Sequence, residues 1–244
     1  MFNFFKKQRK PLFEELCDFH NHLLPGIDDG SKNLDMSMKM LEGFKELGFQ
    51  SIITSPHVYQ ELYPNTPSSI KTAFDLLSEN IKNSNGPELR SYAAEYMVDE
   101  VFMNKLEQET PTLTFNNGYI LLEINFFNDT QMLETSCFNL CQKNITPILA
   151  HPERYHLLKD VSTYEKLKEQ GFYFQLNALS LLGKYGPEVK EKAKKLLLAG
   201  LYDFVGTDAH HPKHLTSLKS LTLSKKESLK WEYIRDFQLD CFSN

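Results

Sequence analysis

The sequence has no long apolar run. Its hydrophobic stretches fall far short of the roughly 20 residues needed to cross a bilayer, and 41% hydrophobic with 24% charged residues is ordinary for a globular chain, which excludes a disordered one. Cysteine is scarce: Cys17, Cys137, Cys141 and Cys241 show no zinc-type pairing, and Cys137 with Cys141 fits one helix face better than a disulfide framework. None has an arginine six positions later, since those places hold Leu23, Lys143 and Pro147, so a cysteine phosphate loop is excluded. No Gly-Lys pair is followed by Ser or Thr, which removes a P-loop. A basic surplus is missing too, and a formal charge of −5 argues against a broadly basic nucleic-acid-binding surface. Without a Pro-, Gly- or Ser-rich linker or a low-complexity tract, one domain is expected.

The start, "MFNFFKKQRKPLF", lacks the apolar stretch of a signal peptide, so the cytoplasm is the expected compartment. Residues 1–11 read as a frayed basic tail and 12–244 as the folded domain. Lys6, Lys7, Arg9 and Lys10 offer at most a peripheral contact with an anionic membrane.

Seven β-rich runs are present, at 16–19, 50–55, 88–95, 119–124, 146–150, 172–176 and 203–206. Helical patterns lie between them at 35–48 and near 67–83, 98–108, 129–143, 162–170 and 187–199. At 35–48, Met36, Met40, Leu41, Phe44 and Leu47 recur at helix spacing and Gly48 closes the end. This alternation predicts parallel strands covered by helices, as in a β/α barrel or an open doubly wound sheet.

Ionisable residues fall at the carboxyl ends of these strands. His20 and His22 follow the first, His57 the second, Glu95 ends the third, and Glu123 closes the fourth; His151 follows the fifth, and Asp208 and His210 the seventh. The sixth supplies Asn177 instead. A lone histidine after a strand is more often structural than a ligand, and Asp28, Asp29 and Gly30 also read as turn formers. Agreement across the strands favours a shared site, because converging carboxylates repel unless cations join them. Imidazole with carboxylate and no thiolate suits manganese, iron or zinc. Four carboxylates, Asp29, Glu95, Glu123 and Asp208, against three divalent ions would leave a net positive centre that attracts phosphate. Arg154, just after His151, is placed to grip phosphate or to form an ordinary surface ion pair.

"DFHNH", "SPH", "AEY", "LLEI", "AHPERY" and "GTDAH", in this order, resemble the polymerase and histidinol phosphatase (PHP) superfamily over residues 16–215. "HNHLLPGIDDGSKN" and "ITPILAHPERY" are closer to its bacterial manganese-dependent tyrosine phosphatases of capsule and exopolysaccharide loci. That resemblance implies a single-domain α/β fold, a distorted (β/α)7 barrel, with three divalent ions, manganese foremost and iron or zinc as alternatives. It implies that His20, His22, Glu95 and Asp208 hold one ion, Glu95, Glu123 and His151 a second, and Asp29, His57 and His210 the third. The family motif, not the spacing, selects Asp29 over Asp28. Arg154 is then the phosphate clamp. Lys213 stands near where the family tends to have a further arginine, and would act there as a point charge.

The implied reaction is hydrolysis of phosphotyrosine by metal-activated hydroxide, with a bacterial tyrosine kinase carrying a tyrosine-rich tail as partner. Tyr59, Tyr63, Phe126, Phe127 and Tyr155 are candidates to line the substrate ring, with Asn177 beside them. The alternatives are hydrolysis of histidinol phosphate or another small phosphomonoester on the same centre, and a non-catalytic metal-binding module. Glu123, where histidinol phosphatases commonly have histidine, favours the tyrosine phosphatases. An amidohydrolase would need a lysine at that strand, which reads "LLEI".

Overall fold

The computed structural model describes residues 11–82, 85–115, 118–125 and 130–242. Its strands are β1 (Cys17–Asp18), β2 (Ser51–Thr54), β3 (His57–Val58), β4 (Glu88–Tyr92), β5 (Glu95–Met97), β6 (Tyr119–Glu123), β7 (Thr146–Ala150), β8 (Tyr173–Asn177) and β9 (Phe204–Gly206). They form two sheets, β1-β2-β4 and β3-β5-β6-β7-β8-β9, and every strand pair among the described residues is parallel. The expected third run, 88–95, is divided between β4 and β5, and the short β3 follows the expected second run, which β2 occupies. Pro56 has no N–H to donate, so pairing lapses between β2 and β3. Continuity survives through Ala93 N to Thr54 O at 2.8 Å and Glu95 N to Pro56 O at 3.0 Å.

The helices are α1 (Leu34–Leu47), α2 (Pro67–Ile81), α3 (Glu100–Glu107), α4 (Thr130–Gln142), α5 (Val161–Glu169), α6 (Ala178–Leu182), α7 (Pro187–Ala199), α8 (Pro212–Leu218) and α9 (Lys225–Phe242). Asn33 caps α1 through its side chain on Met36 N, and Gly48 ends it at φ 90°, a conformation that glycine adopts without steric cost. All six sequence-expected helices are present, as α1 to α5 and α7, and α6, α8 and α9 are additional. Helices and strands pack into one α/β domain.

The first and last strand segments also meet. Asn21 and Ala209 form a parallel bridge, with His22 N donating to Ala209 O at 3.0 Å and Asp208 N to His20 O at 2.8 Å. Below that point side chains continue the seam. Buried Asp18 accepts from Thr207 N and Oγ1 at 2.9 and 2.8 Å, and buried Gln238 of α9 accepts from Val205 N while donating to Cys17 O.

Period-two alternation sorts apolar from polar along each strand. Leu121 and Glu123 share a face, as do Tyr173, Gln175 and Asn177, so apolar residues sit towards the amino ends and polar ones at the carboxyl ends. A small apolar cluster of Cys17, Phe19, Ile53, Leu121, Ile148 and Phe204 receives Phe242 from the end of α9, whose ring stacks on Phe19 at 4.6 Å. Helix α9 covers this end of the strands through Trp231, Ile234, Gln238 and Phe242. Replacing Phe242 with Ala should cost about 3–5 kcal/mol, read from urea unfolding of the full chain.

Candidate metal centre

Strand ends deliver the site. His20 and His22 leave β1, His57 opens β3, Glu95 opens β5, Glu123 ends β6, His151 follows β7, and Asp208 and His210 follow β9. Two of these are bent into place: His151 and Asp208 have φ of 35° and 48°. Left-handed backbone costs a residue with a Cβ roughly 1–2 kcal/mol, so the surroundings impose both turns. Two glycines permit close approach. A Cβ on Gly30 would lie 2.3 Å from His22 Cβ, and one on Gly206 would lie 2.8 Å from His20 Cβ.

Among the described residues, three groups of side chains have the composition and spacing to hold a metal ion, each with ligand atoms within 4.8 Å of one another. They are His20, His22, Glu95 and Asp208; His57, Glu95 and Glu123; and His22, Asp29, His57 and His210. Glu95 stands between them. Its Oε1 lies 3.2 Å from His20 Nε2 and 3.1 Å from His151 Nε2, and its Oε2 lies 3.5 Å from His22 Nε2 and 3.1 Å from His57 Nδ1. Asp208 Oδ1 faces the same two first-strand histidines at 3.4 and 3.2 Å. Asp29 Oδ1 lies 3.4 Å from both His57 Nε2 and His210 Nε2.

The partition differs from the expected ligand sets in two respects: His22 joins Asp29, His57 and His210 as well as the first group, and His57 takes the place of His151 beside Glu95 and Glu123. His57 offers both ring nitrogens, Nδ1 to Glu123 at 2.8 Å and Nε2 to Asp29, and so stands between two groups, whereas His151 touches Glu95 alone among these carboxylates.

His151 Nε2 and Glu95 Oε1 form a hydrogen bond, but several of the other facing atoms do not. His20 Nε2, His22 Nε2, His57 Nδ1 and Glu95 Oε2 are buried and have no hydrogen-bond partner. Leaving buried polar atoms unpaired is costly, and lone pairs that converge on common points instead of on one another suit cations. The opposite ring nitrogens are engaged: His20 Nδ1 meets Gln175 Oε1 at 2.8 Å, His22 Nδ1 meets Asp28 Oδ2 at 2.8 Å, and His210 Nδ1 meets Asp208 O at 2.9 Å. With Nδ1 donating its hydrogen, Nε2 carries the lone pair a metal needs. The donor set therefore fits divalent ions.

Electrostatics agree. Burial pushes the Glu95 and Asp208 carboxyls up, yet surrounding histidines, His20 foremost in each case, hold both well below the usual carboxylate range. Burial and His57 oppose protonation of His22, but Asp28 and Asp208 lift its imidazole to about 10. His20 is raised against its burial by Glu95 and Asp208, and His57 well above its ordinary value by Glu123 and Glu95.

Residues 16–223 match the family model for capsular polysaccharide synthesis, CpsB/CapC. The chain belongs to the CpsB/CapC family. It is 30% identical to the tyrosine-protein phosphatase YwqE of Bacillus subtilis over 206 residues, covering 81% of this chain and 78% of that one. With the tyrosine-protein phosphatase CpsB of Streptococcus pneumoniae it shares 26% identity over 203 residues, 80% and 83% of the two chains. Its fold matches a structure from work on YwqE and CpsB, described as unique metal-dependent tyrosine phosphatases, with a TM-score of 0.75, 26% identity and coverage of 91% and 94%.

Within this CpsB/CapC centre the acids of the "DD" pair divide their work. Asp29 faces His57 and His210, whereas Asp28 stands behind, accepting from Gly30 N and His57 N and holding His22. Burial would raise the Asp28 carboxyl, but His22 keeps it below its ordinary value. Arg154 lies on the rim with its side chain 27% exposed, and its NH1 donates to Asp208 Oδ2 at 2.9 Å. Tyr63 stacks on the His57 ring at 5.4 Å, and Tyr59 turns its hydroxyl to Glu61.

Two expectations for substrate contact are corrected. Tyr155 is buried, and its hydroxyl accepts from Ile124 N, so it packs behind His151. Asn177 is buried as well, with its amide spent on Leu179 N, Tyr185 and Asp208. Lys213 is exposed in the first turn of α8, and its side chain makes no hydrogen bond or ion pair with the centre among the described residues. Phe126 and Phe127 lie outside the described residues.

Sequence reasoning missed Gln175 and Tyr185. Gln175 Oε1 accepts from His20 Nδ1 and from His151 N, joining two ligand positions. Its position two residues before Asn177, on the same strand face, was the available signal. Gln175→Leu should weaken manganese binding about 10- to 100-fold, measured by equilibrium dialysis.

The raised histidines set a pH dependence with a definite sign. In metal-free protein His22 adds stability that is complete below its unfolded value of 6.5 and is lost as pH rises through about 10. Ions must displace those protons, so they bind more tightly as pH rises. The melting-temperature difference between manganese-loaded and chelated protein should widen from about pH 6 to about pH 9. Calorimetry in buffers of different ionisation enthalpy should register proton release on loading.

Proposed function

We propose that this protein is a metal-dependent protein-tyrosine phosphatase of capsule or exopolysaccharide synthesis, acting on phosphotyrosine of a bacterial tyrosine kinase. The observation that carries the reading is the convergence of four histidine nitrogens on the two oxygens of Glu95. The names and metal dependence of the relatives support it.

Three divalent ions, manganese first and iron or zinc as alternatives, would be held by His20, His22, Glu95 and Asp208; by Glu95, Glu123 and His151; and by Asp29, His57 and His210. Bound there, they would supply Lewis acidity and lower the pKa of water to near neutrality. Arg154 grips non-bridging phosphoryl oxygens from the rim, where its guanidinium stays charged and partly accessible. Asp28 and Gln175 hold His22 and His20 in the tautomer that leaves Nε2 free. A phenol has a pKa near 10, so a tyrosyl leaving group departs with little help from a general acid. Tyr63, against His57, and Tyr59 flank the approach of the ring.

The parallel order of the strands and the Asn21–Ala209 bridge support closure into a distorted seven-unit PHP-type barrel, with the site at its carboxyl face. Residues 1–11 are assigned to a basic tail and 12–244 to the catalytic domain, placed in the cytoplasm with at most peripheral membrane contact. No described helix is long and apolar enough to cross a membrane.

A panel of phosphotyrosyl peptide, phosphoseryl peptide and histidinol phosphate tests the reading, with manganese-loaded and chelated protein side by side. Hydrolysis of the phosphotyrosyl peptide should dominate and should vanish on chelation. A large preference for histidinol phosphate, or turnover indifferent to chelator, overturns it. Arg154→Ala should lower kcat/KM by about 10²- to 10³-fold while metal content stays constant.

A further inference from the structure

Arg154 is held by more than its charge. While NH1 donates to Asp208 Oδ2 at 2.9 Å, the guanidinium carbon lies 4.3 Å from the centroid of the Tyr185 ring. A cation over a ring face at this distance is attracted by the ring quadrupole, and the flat guanidinium also stacks.

Tyr185 is itself fixed. Its hydroxyl accepts from Asn177 Nδ2 at 3.1 Å, and that same amide nitrogen donates to Asp208 Oδ2 at 2.8 Å. An amide nitrogen has two hydrogens, one for each acceptor. Asn177 Oδ1 accepts from Leu179 N at 2.9 Å, which pins the amide. Tyr185, Asn177, Asp208 and Arg154 thus form a closed circuit around Asp208 Oδ2, while Oδ1 faces His20 and His22. The turn that carries Tyr185 is built for this, because Gly183 and Gly186 on either side have φ of 81° and 99°. A Cβ on Gly186 would meet nothing within 4 Å, so the glycine there answers to backbone angle and not to crowding.

We propose that Tyr185 is a positioning residue for Arg154: its ring face fixes the plane of the guanidinium beside Asp208, so that the remaining N–H donors meet a phosphoryl group in one orientation. The inference rests on the phosphoryl-gripping role proposed above for Arg154. Without the ring, the side chain keeps its charge and its bond to Asp208 but pivots about that bond, and two-pronged recognition is lost.

A double-mutant cycle on manganese-loaded full-length protein tests this, using wild type, Tyr185→Leu, Arg154→Ala and the double variant, with Tyr185→Phe as the conservative rescue. Affinity for inorganic phosphate by calorimetry is one readout, and KM and kcat on a phosphotyrosyl peptide are the other. Tyr185→Leu should weaken phosphate binding and raise KM about tenfold, with metal content unchanged, and Tyr185→Phe should stay within about threefold of wild type. In the Arg154→Ala background Tyr185→Leu should cost nothing further. The assignment is overturned if the loss recurs in that background, if Phe loses as much as Leu, or if Leu has no effect. Phosphate coupling in a protein that leaves the phosphotyrosyl peptide intact would refute the phosphatase reading and support the Tyr185 assignment. Peptide turnover without coupling would do the reverse.

Discussion

A carboxylate with no solvent exposure, Glu95, is the constraint around which the rest of the molecule is arranged. Removing such a charge from water is expensive unless other charges and hydrogen-bond partners replace the solvent. Here four imidazoles arrive from the first, second and fifth strand passes, and parallel strands in sequence order bring them together at their carboxyl ends. The apolar rows below them, from Leu121 to Phe204, fix the depth at which the polar layer begins.

Around that centre the fold spends stability on position. Left-handed turns at His151 and Asp208, and glycines where a side chain would strike His20 or His22, are unfavourable or permissive features that surrounding packing must enforce. Asp28, Gln175 and Asn177 form the orienting layer behind the ligands, and the side chain of each is buried and bonded to backbone as well as to a ligand side chain. Arg154 is reached by the same layer, since Asp208 Oδ2 serves both it and Asn177.

The centre was legible because imidazoles and carboxylates directly after apolar runs are few, and parallel β/α order places such positions at one end. What spacing could not decide was orientation. Adjacent Asp28 and Asp29 have the same chemistry in sequence, and only the bend of the loop sends one behind His22 and the other towards His57. Tyr155 and Asn177 lie beside ligand motifs, which suggested a rim, but β-strand alternation and the short turn after His151 bury both. Gln175 and Tyr185 carry no charge and have many ordinary explanations in a sequence. The last helix was hidden because Lys225, Lys226, Glu227, Lys230 and Glu232 interrupt its apolar rhythm, although Trp231, Ile234, Gln238 and Phe242 line one face. The Ser55-Pro56 break lay in plain sight, yet its consequence, a separate short β3 after β2, depends on which neighbour would have received the missing N–H.

Because the meeting of Asn21 with Ala209 joins the two ends of the strand order, three ligands of the first group lie within the first 95 residues and the fourth, Asp208, is supplied late in synthesis. A chain still on the ribosome, with its last strand inside the exit tunnel, presents His20 and His22 without Asp208 to complete them. The first group, unlike the one formed by His57, Glu95 and Glu123, is therefore complete only when the last strand has been made.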